Sequence, residues 1–260
     1  MSRPYLLSST FPLRLAVLYL ITAFFLVLIH DFWGSDRPDF PIWFAIGREG
    51  GPTEWIQWFF LSGCIVMSAY LWGVGSIRAW SCASAFALLA IAFSLMLIED
   101  AGNLRHRVGD SIVSSLFPSR ESYDARLAKN AIEILLYSAI GCLVIASLVR
   151  IRFRVAQHRD LVPFLLSGFT LYLVAAASSA TRYFADWYAV LGGRIIHQFA
   201  GLERRPWEEF AERIEVREYP YDEPGFWLMD TFVEESLELL AVSLLLTFLI
   251  KLVRHEAPRK

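Results

Sequence analysis

Six stretches of this chain are almost free of charge, and each is about as long as a helix must be to cross a lipid bilayer. They run roughly over residues 13–29, 55–77, 79–98, 131–149, 161–181 and 232–250. A span takes about 20 mostly apolar residues as a helix, because only a helix or a closed barrel satisfies every backbone group away from water. The apolar residues come in unbroken blocks, without the one-sided periodicity of a soluble helix or strand. The reading is an all-α integral membrane protein, a bundle of six transmembrane helices, with residues 1–260 as a single transmembrane domain. With 56% of 260 residues hydrophobic, no attached soluble domain is expected. Arg3 precedes the first block and Arg14 stands at its start, ahead of the apolar core, as in a signal peptide. That block ends in His30-Asp31-Phe32-Trp33 with no small-residue cleavage site, so a retained anchor is expected.

Orientation follows from where Lys and Arg fall in short loops. Arg150, Arg152, Arg154 and Arg159 cluster between blocks four and five, and Lys251, Arg254, Arg259 and Lys260 follow block six. Arg3, Arg14 and Arg78 fall on the same side, so eleven of the 24 basic residues gather there against only two acids, Asp160 and Glu256. The expectation is a cell membrane of the bacterial plasma-membrane type with both termini cytoplasmic. The outer segments, 30–54, 99–130 and 182–230, then hold most of the acids and five of nine tryptophans, and Trp55 and Trp58 open block two on the same side, where their amphipathic rings suit the interface. Block three is expected to continue outward as a helix, as is block four. In residues 206–214, Trp207, Phe210, Ala211 and Ile214 recur at helical spacing, predicting a short amphipathic helix at the edge of the bundle. Cys64, Cys82 and Cys142 all lie inside apolar blocks and read as packing residues rather than a disulfide framework.

Carboxylates at the outer ends of the spans carry the chemistry. Asp230, Glu234 and Glu238 recur every four residues, which predicts one acidic stripe on span six, with Glu235 beside it. An acid at the membrane centre costs on the order of 2.5–3.5 kcal/mol, so this half of the span should face protein or water. Glu99 and Asp100 close span three, and Glu133 and Tyr137 share a polar stripe on span four. Arg182 at the end of span five is the candidate counter-charge. Helix N-termini favour acids electrostatically, which accounts for Glu54 but not for Glu238, two turns in. His106, His30 and His197 are the candidate metal ligands. Their spacing matches no metal signature, and Glu99, Asn103 and His106 share a face only if the helix continues unbroken.

The absence of a Gly-x-Ser-x-Gly elbow, a phosphate loop and a mid-span histidine pair removes the commonest enzyme templates and leaves any catalytic role open. No cofactor is implied. A net charge of −2 with no basic stripe argues against nucleic acid as a partner. The lipid bilayer is the partner the composition requires, and other membrane-protein subunits are possible ones. One class of function that fits is a transporter- or channel-like component whose carboxylates bind or pass a proton, metal or small amine. The second is an accessory or scaffold subunit of a larger membrane complex. The third is a hydrolase or metalloenzyme working at the outer face.

Overall fold

The computed structural model describes residues 8–32, 42–47, 50–102, 104–117, 123–182, 186–200 and 224–256. The protein is all-helical, with no strand among the described residues. The helices are α1 (Phe11–Val27), α2 (Ile42–Gly47), α3 (Pro52–Ile77), α4 (Ala83–Gly102) and α5 (Leu104–Leu116). They are followed by α6 (Tyr123–Ala156), α7 (Val162–Thr181), α8 (Trp187–Ala200), α9 (Pro224–Trp227) and α10 (Glu234–Glu256). Among the described residues two segments wind as π-helix, Leu28–Phe32 after α1 and Leu228–Val233 before α10. Six helices among the described residues are long and apolar enough to cross a membrane, built on α1, α3, α4, α6, α7 and α10. Large side chains such as Phe59, Leu135, Leu166 and Leu173 point outward along them, the surface that lipid would cover.

Local chemistry sets the helix ends. Pro52 opens α3 in the first turn, where its missing N–H costs nothing, and the Glu54 carboxylate reaches back to accept from the Gly50 N–H. At the other end of α3, Ala79 N–H bonds Ser76 O and Trp80 N–H bonds Gly75 O, while Ala79 itself has φ 52°. That is a Schellman turn with alanine where glycine is usual. Residue 79 therefore lies in a turn and α4 begins at Ala83, four residues later than its hydropathy indicates. The expected helical continuation of span three is two helices, α4 ending at Gly102 and α5 starting at Leu104, rather than one. Span four is continuous from Tyr123, well before its apolar block begins. The helix expected over residues 206–214 lies outside the described residues.

The chain divides into two compact units. The first comprises Met1–Pro12, Gln57–Thr170 and Ala241–Lys260. In it α4 and α5 pack against α6, Phe93 stacks on Phe169, and Leu71, Ile151, Leu161 and Leu252 are fully buried. The second comprises Leu13–Ile56 and Leu171–Leu240. Here α2 and α8 both pack against the two π-helical segments, around a core of Val27, Trp43, Ile196 and Leu228. A second apolar group joins Tyr188, Ala189, Phe226 and Met229. The backbones meet closely. A Cβ on Gly47 would collide with the Thr231 carbonyl, and one on Gly192 with the backbone of Gly225.

Candidate functional site

The second unit holds the densest set of buried polar groups described, on the π-helical segments and the helices that touch them. After α7 ends, Arg182 is 5% exposed, and its Nη1 donates to Asp230 Oδ1 at 2.7 Å. Asp230 sits in the π-helical segment Leu228–Val233. Four residues on, Glu234 begins α10 and is 5% exposed; the Tyr188 hydroxyl of α8 donates to its Oε2 at 2.7 Å. Tyr188 is fully buried. Burial pushes its phenol above the usual tyrosine range, and the negative charges of Glu234 and Asp230 push the same way. The hydroxyl therefore remains a donor at any ordinary pH. Glu238, one turn beyond Glu234, is 9% exposed on the same face of α10, and Glu235 beside them is half-buried.

The other π-helical segment carries a second buried acid. Asp31 accepts the backbone N–H of Ile42 at one oxygen and of Trp43 at the other, both at 2.9 Å, and so caps α2 from eleven residues away. His30 Nδ1 lies 2.8 Å from the first of those oxygens. A carboxylate already accepting two N–H groups is served best by a third donor. His30 Nδ1 is therefore the ring nitrogen that carries a proton toward this oxygen.

In the first unit Asp100, near the end of α4, accepts from Gln57 Nε2 at 2.8 Å and from Trp58 Nε1 at 3.0 Å. Glu99 and Tyr137 are half-buried in the same unit. The side chains of Glu133 and His106 lie outside the described residues, as does Asn103, so the shared face of Glu99, Asn103 and His106 falls there too. His197 is exposed on α8. Among the described residues no group of three or more His, Cys, Asp and Glu side chains is arranged to hold a metal ion.

The structure thus brings Arg182 to Asp230, and it keeps Glu234 and Glu238 on one helical face. Tyr188, Asp31, Gln57 and Trp58 are the polar participants that spacing alone did not single out. Asp31 had one visible signal, an acid adjoining His30 at the end of an apolar block. Tyr188 had none, because the helix that carries it contains the pair Gly192-Gly193, which disfavours helix on propensity alone. Compared with protein families, with curated proteins and with solved structures, the chain matches none.

Proposed function

We propose that this polytopic membrane protein binds a cation at the acid stripe of α10 and passes it through its outer half, the cation being a proton, a metal ion or a small amine. The observation that supports this reading most is the burial of Glu234 and Glu238 on one face of a membrane-spanning helix, with Asp230 and Glu235 adjoining. Carboxylates are costly inside a bilayer, and where they occur they mark ion and proton pathways. Arg182 and Tyr188 give the stripe fixed donors at its outer end, leaving an acid-rich run toward Glu238. The π-helical turn supports the reading, since such turns recur at functional positions.

Reconstitution tests it. Liposomes carrying the wild type should pass protons or sodium down an imposed gradient, and Glu238→Gln should slow that flux at least about tenfold while inserting normally. Equal flux from wild type, Glu238→Gln and empty liposomes would reject the reading. The accessory-subunit alternative draws on a different observation: Asp230 and Asp31 spend their oxygens holding neighbouring segments together. Under it, Glu238→Gln leaves ion flux at background and instead releases a co-purifying membrane protein.

A further inference from the structure

The basic end of the first unit contains an assembly of side chains apart from the acid stripe. Glu256 is the last residue of α10. Arg154, in the last turn of α6, donates Nε to Glu256 Oε1 at 2.7 Å and Nη2 to Oε2, a two-pronged contact. The Arg154 guanidinium lies 4.1 Å from the centre of the Trp80 ring. Trp80 is held there by the Schellman turn through its N–H bond to Gly75 O. Arg78 Nη1 donates to the Glu256 backbone carbonyl at 2.7 Å, and His158 Nε2 approaches Glu256 Oε1 at 3.6 Å. The next layer is His255, whose ring stands 4.6 Å from that of His158 and whose Nε2 is 3.5 Å from Asp160. Arg150, Arg152, Arg159 and Arg254 are exposed at the same end of their helices.

We propose that Arg78, Arg154 and His158, backed by Trp80, form a binding site for a phosphate group, and that the Glu256 carboxylate occupies it as an intrachain stand-in. The planar fork of arginine matches carboxylate and phosphate alike, and a phosphate brings more charge and a third oxygen to the remaining donors. An indole face under the guanidinium fixes its plane and shields it from water, as a built anion site requires. The surrounding excess of arginine raises the local concentration of anions. The occupant is a side chain at the final turn of a helix, so it can swing out without unwinding the span. Phosphate then competes with Glu256 for the same fork. The phosphate group is that of a free phosphate or of an anionic lipid headgroup, and the two sources separate in the test.

The full chain is purified in detergent as wild type, Glu256→Gln and Arg154→Gln/Glu256→Gln. Inorganic phosphate is titrated by calorimetry, and retention of phosphatidic acid against phosphatidylcholine is read by native mass spectrometry. Glu256→Gln is expected to bind at least one phosphate probe about tenfold more tightly than wild type, and the double variant to lose that gain. Gain with phosphatidic acid alone assigns the headgroup; gain with inorganic phosphate assigns a soluble ligand. Glu256→Gln binding both probes no better than wild type would overturn the proposal, as would a double variant that keeps the gain. Should the double variant fail to fold, Arg154→Lys/Glu256→Gln retains the charge but not the fork. It must lose most of the gain for the proposal to stand.

Discussion

Replacing Arg182 by Gln removes a buried guanidinium and leaves Asp230 facing the place it occupied. The two side chains meet at 2.7 Å and are 5% and 17% exposed, so water screens them little. With charge centres about 4 Å apart and an effective dielectric constant of about 20, their attraction is about 4 kcal/mol. Deleting one partner of a buried pair also strands the other, at a typical total of about 3–5 kcal/mol. Arg182→Gln and Asp230→Asn should therefore each lower the unfolding free energy by about 3 kcal/mol. The double variant should lose little more than either single one, for a coupling energy of about 2–3 kcal/mol. Equilibrium unfolding in mixed detergent–SDS micelles, followed by circular dichroism, measures all four corners of the cycle. A coupling energy below about 0.5 kcal/mol would mean the two groups act independently, and the buried pair would be refuted.

Other outcomes follow from single positions. Ala79→Gly relieves a left-handed residue in the turn after α3 and should raise stability by about 1 kcal/mol, read in the same micelle assay. Gly47→Ala places a methyl into the Thr231 carbonyl and should cost several-fold more than the about 1 kcal/mol that overpacking costs at the least, with loss of folded yield on size-exclusion chromatography. Tyr188 should remain protonated while exposed tyrosines ionise, as ultraviolet absorbance near alkaline pH will show. Its raised folded value means its contribution is complete below its unfolded value of 10.0 and declines as pH rises above that, a decline that Tyr188→Phe should remove. Asp31→Ala strips two backbone donors of α2 of their acceptor and should cost about 2–5 kcal/mol, with faster hydrogen exchange at Ile42 and Trp43.

The spans were readable because a bilayer demands long uncharged blocks, and a dozen missing charges in a row are hard to mistake. Where local geometry departs from the default, the pattern misleads. Ala79 continues an apolar block in composition, yet it turns the chain, and the glycine that would have announced the turn is absent. Helix α8 hides behind the poor propensity of Gly192-Gly193, and at Gly192 the backbone of Gly225 needs the space a side chain would take. The link from Asp31 to α2 crosses eleven residues and leaves no periodic trace, as does the bond from Tyr188 to Glu234. Arg182 was different: a lone cation ending an apolar block near many acids has few partners to choose from, and Asp230 lies within its reach.

The π-helical segment before α10 acts as a phase shifter. A π turn takes up more residues than an α turn, so side chains on either side of it are rotated out of the angular series that a uniform helix would impose. Counting by fours from Asp230 places Glu234 and Glu238 in one line, but the rotation falls between the first and the second. Asp230 is thereby aimed at the end of α7, where Arg182 waits, while Glu234 turns to Tyr188 on α8. Two acids four residues apart thus serve two different helices. Deleting one residue between Asp230 and Glu234 would remove the π turn and shorten the spacing of the two acids from four residues to three. Asp230 and Glu234 would then be turned relative to each other, and the bonds to Arg182 and to Tyr188 could no longer both be kept.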